Sequence, residues 1–265
     1  MRYPESIEAL FMQKPFSYTE YQALLDDIKI TGKLCDYPDA LYKDSFIILR
    51  HDVEFSPLRA YELAKFENQN GITSTYFFQL TNNAYNFLSG VNLQMAREIL
   101  NMGHKIGLHF HLHGMKDRNQ IEKKIIEECS ILSNALGVNV DRFSFHRPPD
   151  YVLEKPIIIK GLINAYDPAY FTFSKETELL NYADSIKYIA DSQNRWNYAD
   201  PWGKPCLELF RTYPRIQILC HPYSWSITGN DTLANLRELI EENRSEFIQT
   251  LCDETKYVRD YLDEL

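Results

Sequence analysis

The chain has 265 residues, 45% of them apolar and 25% charged, with a formal net charge of -9. That length fits one domain of barrel size, and a negative chain without a basic stripe argues against a nucleic-acid partner. No apolar run approaches the ~18 residues of a membrane span. The N-terminus, Met1-Arg2-Tyr3-Pro4-Glu5-Ser6, has no apolar signal-peptide core, and Cys35, Cys129, Cys206, Cys220 and Cys252 are scattered without a CxxC pair. The expectation is a cytoplasmic protein with no disulfide framework.

Taken in chain order, residues 1–44 read as a helical and loop cap on the main body. The apolar run at 46–51 reads as a buried strand. Residues 57–70 read as a helix, with Ser56 as N-cap, Pro57 at the first helical position and Gly71 as the stop. Residues 73–80 are the next strand, 92–102 a helix closed by Gly103, and 105–110 a strand. At 118–136, Ile121, Ile125, Cys129, Leu132 and Leu136 recur at spacings of three or four before Gly137, which predicts an amphipathic helix. Strands follow at 141–146, 185–190 and 215–220, and the tail from 231 to 263 has helical periodicity. Alternating strands and helices predict a parallel sheet. Candidate functional residues stand directly after many strands, as in barrel enzymes. Neither a GxGxxG nor a GxxxxGK[ST] run is present, so the usual nucleotide-binding signatures are missing.

The densest cluster is His109-Phe110-His111-Leu112-His113, which holds three of the seven histidines. Residues four apart share a face in a helical turn or a strand, so His109 and His113 can offer two imidazoles to one metal. Upstream, Asp52 and Glu54 alternate with His51 and Val53, so both carboxylates can face one side. Arg147-Pro148-Pro149 follows a strand, and the rigid backbone can aim Arg147 at a catalytic carboxylate. His146 beside it reads as structural. Cys220-His221-Pro222 ends the last strand, where His221 can act as a general acid. Asp191, after another strand, can orient it. Tyr223, Trp225 and Trp196, with Pro148, are candidates to line a sugar-sized pocket. Each feature also has a plain reading: a hydrogen-bonded histidine, a solvated strand end, a structural salt bridge or a turn aspartate.

Together these motifs resemble the polysaccharide deacetylase family, the NodB-homology domain of carbohydrate esterase family 4. The resemblance spans about residues 45–225 and is carried chiefly by His109/His113, with the flanking Gly103-His104-Lys105-Ile106-Gly107-Leu108, and by Leu219-Cys220-His221-Pro222. It implies one α/β domain over 1–265. That domain would be a distorted (β/α) barrel of about seven strands at 45–225, with an N-terminal helical extension at 1–44 and a C-terminal one at 226–265. The resemblance also implies a divalent metal, zinc first, with cobalt, nickel or manganese as alternatives. The activity it implies is hydrolysis of an N-acyl or O-acyl group on a sugar or glycoconjugate, in surface-polysaccharide or envelope-glycan synthesis. Carried over residue by residue, Glu54, His109 and His113 would hold the metal, Asp52 would be the base, Arg147 would hold the base, and His221 would be the acid with Asp191 behind it. The chain departs from the family pattern here: many members have adjacent aspartates, whereas Val53 follows Asp52 and the second carboxylate comes one residue later, as Glu54 rather than Asp. Two alternatives stay open: hydrolysis of a non-sugar linear or cyclic amide on the same fold, and a carbohydrate-binding relative without activity.

Overall fold

A computed structural model describes residues 15–173, 185–199 and 201–264. Seven strands, all parallel, form one sheet: β1 (Phe46–Val53), β2 (Thr75–Phe78), β3 (Lys105–His111), β4 (Arg142–His146), β5 (Ile163–Asn164), β6 (Ile186–Ala190) and β7 (Arg215–Cys220). Their spatial order is β5-β4-β3-β2-β1-β7-β6. Read as a ring, that order is the chain order, with one seam among the described residues, between β5 and β6. The fold is therefore a distorted (β/α) barrel of seven strands. Side chains reach across the seam. Gln217 on β7 donates from Nε2 to the carbonyls of Ala165 (2.9 Å) and Tyr170 (2.8 Å), both beyond β5.

Helices cover the outside: α1 (Tyr18–Thr31), α2 (Tyr37–Ala40), α3 (Pro57–Gln69), α4 (Gly90–Asn101), α5 (Arg118–Leu136), α6 (Asp150–Glu154), α7 (Leu207–Thr212) and α8 (Thr232–Glu254). Their ends follow the expected chemistry. Ser56 accepts from the Arg59 amide ahead of Pro57, and Asp117 accepts from the Gln120 amide. Gly137 closes α5 at φ 74°, a left-handed conformation that glycine takes without a Cβ penalty. All eight residues of β1 are buried, because helices cover one face and the barrel interior the other. Phe46 and Ile48 point inward and pack with Phe77 against Tyr37 and Ala40, so α2 plugs the N-terminal end of the barrel.

Besides the short helices α6 and α7, which the sequence pattern does not predict, two elements differ from the expectation. The strand β5 has only two residues, too short to leave a period in the sequence, and it forms because β4 offers it an edge. The C-terminal segment is not one helix over 231–263. It breaks at Thr255, which is extended at φ -140°, and a 3₁₀ segment follows. Residues 1–14 of the expected N-terminal cap lie outside the described residues. No helix among the described residues is long and apolar enough to cross a membrane.

Candidate metal and acid-base centre

Strand alternation builds the site. On β1, His51 turns outward to the helices, while Arg50 and Asp52 turn inward and Glu54 continues on their side. The registers Phe77↔Gly107, His109↔Ser144 and His111↔His146 then stack the inner residues of β2, β3 and β4 toward the C-terminal mouth. At that mouth three donors converge. Glu54 Oε1 lies 2.9 Å from His146 Nδ1 and 3.7 Å from His109 Nε2. The two imidazole nitrogens are 3.3 Å apart.

These separations fit a divalent ion. Ligand bonds of about 2.0–2.1 Å in a tetrahedron set donors about 3.4 Å apart, so the donor pairs depart from it by about half an ångström at most. Two imidazoles and one carboxylate are a known zinc set that leaves a fourth position open, and the same donors accept cobalt, nickel or manganese. The surrounding hydrogen bonds prepare His109 for such a role. Ser144 Oγ donates to Asp52 Oδ1 (3.3 Å) and lies 2.8 Å from His109 Nδ1. With its proton committed to Asp52, the hydroxyl accepts from His109 Nδ1–H, which leaves the Nε2 lone pair facing Glu54 and His146.

Asp52 sits beneath this trio and is buried. Its Oδ2 lies 3.7 Å from His109 Nδ1 and accepts from Arg50 Nη2 at 3.2 Å. On the far side, His221 follows β7 and Asp191 follows β6, on neighbouring strands. Asp191 Oδ1 is 2.6 Å from His221 Nδ1, and both its oxygens accept from the His221 amide. The indole of Trp225 donates to Asp191 Oδ2 at 2.8 Å. His221 Nε2 faces Glu54 Oε1 at 4.0 Å. Burial alone would lower the His221 pKa, but the Asp191 carboxylate overrides it and raises the value to about 9. For Glu54, burial pushes the pKa up, yet the neighbouring His109, His146 and His221 hold it well below the usual carboxylate range.

Several residues stand elsewhere than the sequence suggested. His113 is not beside Glu54 and His109. The strand ends at His111 and the chain turns, with His113 at φ 47°. Its ring is exposed, 4.1 Å from that of His111, and its Nε2 meets Thr81 Oγ1 at 3.0 Å. The four-residue spacing shares a face only while the strand continues. His146, expected to be structural, is in the trio instead. Arg147 is exposed at φ 48° and pairs with no carboxylate among the described residues, so Arg50 and not Arg147 is on Asp52. Trp225 is 1% exposed and packs against Phe16, Tyr21 and Trp196, which removes it from any pocket lining. Trp196 is half-buried against the same group, and Pro148 is half-buried in the loop before α6. Tyr223 is half-buried near the site. Its ring centroid is 5.7 Å from His221 and 4.8 Å from Phe55, an exposed aromatic that the sequence reading passed over. Ser144 was missed for the same reason as His146: both depend on the pairing of β3 with β4.

No family model matches the chain and no curated protein matches it. Among solved structures it is similar to a family 4 carbohydrate esterase from Streptomyces lividans in complex with acetate, at 16% identity over 79% of this chain and 89% of that one, with a TM-score of 0.41. It is similar to the Xyl-CE4 domain of a multidomain xylanase from the hindgut metagenome of Trinervitermes trinervoides, at 15% identity over 77% and 85%, TM-score 0.39. It is also similar to the chitin deacetylase of the fungal pathogen Colletotrichum lindemuthianum, at 15% identity over 74% and 81%, TM-score 0.40. Likenesses of this size leave the functional reading to the side chains.

Proposed function

We propose that this protein is a metal-dependent hydrolase that removes an N-acyl or O-acyl group from a sugar. One observation carries the reading. A three-donor set with an open side, Glu54, His109 and His146, lies between two separate proton-handling groups, Asp52 and His221, at one mouth of the barrel. Hydrolysis of an amide or ester needs that division of labour.

A divalent ion held by the trio would polarise the acyl carbonyl and bring the pKa of a water toward ~7. Asp52 takes a proton from the attacking water as the new C–O bond forms. His221, kept protonated by Asp191, gives its Nε2 proton to the leaving nitrogen or oxygen as the acyl bond breaks. The products are a free amine or hydroxyl on the sugar and a carboxylic acid. Each proton-transfer group contributes about 10²–10⁴-fold. Tyr223 and Phe55 would face the sugar ring from the rim.

Elemental analysis of protein purified without chelator tests the first half. About one equivalent of metal is expected in the wild type. His109→Ala and His146→Ala should lose it and His113→Ala should keep it. Retention in His146→Ala with loss in His113→Ala would restore the ligand set suggested by sequence spacing. Assays on N-acetylated and O-acetylated sugars test the second half. Asp52→Asn and His221→Ala should keep the metal and lose turnover by about 10²-fold or more. Turnover of simple amides with inert sugars would move the reading to a non-sugar amidase, and glycan binding with no metal would move it to a carbohydrate-binding relative.

A further inference from the structure

Arg50 lies wholly inside the barrel, with no exposed side-chain surface. A buried guanidinium loses its solvation, and a buried ion pair is often no more stable than apolar residues of the same volume. Stability alone therefore gives a weak reason for it. Its contacts give a stronger one. Arg50 Nη2 donates to Asp52 Oδ2 at 3.2 Å and to the Tyr166 hydroxyl at 2.8 Å. The guanidinium also lies over the Tyr166 ring, 4.7 Å from its centroid, and over Phe77 at 5.7 Å. Ser144 takes the other oxygen of Asp52. Each carboxylate oxygen thus has one donor, and the two donors come from different strands.

We propose that Arg50 is the positioning residue for Asp52. It acts from the same strand, two residues before the carboxylate, where alternation puts both side chains on the inner face. Tyr166, just beyond β5 at the barrel seam, fixes Arg50 in turn. The orientation of Asp52 is therefore set from the seam across the barrel interior. Arg147, at the mouth, takes no part in this contact. The inference rests on the reading of Asp52 as the base.

The experiment compares Arg50→Gln, Arg50→Lys, Tyr166→Phe and Arg147→Gln in the metal-loaded protein. Each variant is measured for kcat, KM and metal content and is solved by crystallography. Arg50→Gln should lower kcat about 10²-fold, the cost of a misplaced reacting group, with KM within about threefold and metal retained. Arg50→Lys should recover part of that loss, because it keeps the charge without the planar fork. Tyr166→Phe should give a smaller loss in kcat, and it carries the test if Arg50→Gln does not fold. Arg147→Gln should lose less than Arg50→Gln, and the reverse order would overturn the proposal. If the wild type hydrolyses none of the substrates, the functional reading fails, and the crystal structures still decide this one. An Asp52 carboxylate turned away from Ser144 in Arg50→Gln or Tyr166→Phe supports it. One that stays in place in both overturns it.

Discussion

At the residue scale, the pairing of His221 with Asp191 has a consequence for stability. Burial opposes the charged imidazole, and the Asp191 carboxylate raises its pKa to about 9 against an ordinary 6.5. A group whose pKa rises on folding stabilises the protein fully below its unfolded value and loses that effect as pH climbs through the folded one. The contribution is of the order of 3 kcal/mol. We therefore expect the denaturant midpoint of metal-stripped protein to fall as pH rises from 6.5 to 9. Asp191→Asn should be less stable at pH 6 and nearly flat over that window. Equal slopes for both proteins would remove Asp191 as the partner. The histidines also show what a single residue cannot reveal. His109 is legible as a candidate donor because it belongs to a dense histidine run at the end of an apolar strand segment. His146 is not, since nothing in its own neighbourhood tells it apart from a structural histidine.

At the element scale, the site depends on how closely β2, β3 and β4 stack inside the barrel. Gly107 on β3 is the tight point. A Cβ there would overlap the Phe77 ring and lie 2.8 Å from Arg142 Cγ. Phe77 is in the middle of β2, and Arg142 is tied to Asp36 and Thr75 by side-chain hydrogen bonds, so neither yields easily. We expect Gly107→Ala to cost about 1–3 kcal/mol, as overpacking does. It should also disturb His109, two residues along the same face. Thermal melts should show the loss, and metal content should fall with it. A variant as stable as wild type would mean that the strands can spread, contrary to this packing. The apolar runs of the strands and the Ser and Gly punctuation of the helices were legible because each is a local property. The two-residue β5 was not, because only the neighbouring strand defines it.

At the scale of the whole molecule, one carboxylate ties the helix layer to the sheet. Glu67 on α3 is fully buried and accepts from the hydroxyls of Tyr21 on α1, of Ser74 just before β2 and of Tyr76 on β2. It also meets His51 on β1 at 2.8 Å and His104 at 3.6 Å. Burial would raise its pKa, but the His51 imidazole and then His104 and Tyr21 lower it to about 2. With a lowered carboxylate pKa, the stabilisation is present above 4.5 and is lost as pH falls toward 2. Glu67→Gln should destabilise the protein by about 3–5 kcal/mol at neutral pH, because it leaves buried donors and His51 without their carboxylate. The variant should also lose the steep acid limb of the wild-type stability curve. An unchanged acid midpoint would show that another group governs acid unfolding.

Local pattern was enough for the sequence by itself to determine the alternation of strands and helices, the burial of β1 and the inward side shared by Asp52 and Glu54. These follow from side-chain periods of two and 3.6, which neighbouring residues express on their own. Tertiary structure decided which donors meet. The β3–β4 register brings His146 and Ser144 to His109, the turn after His111 takes His113 away, and the barrel interior sets Arg50 on Asp52 in place of Arg147. Register and ring closure are relations between segments far apart in the chain, and spacing within one segment carries no information about them.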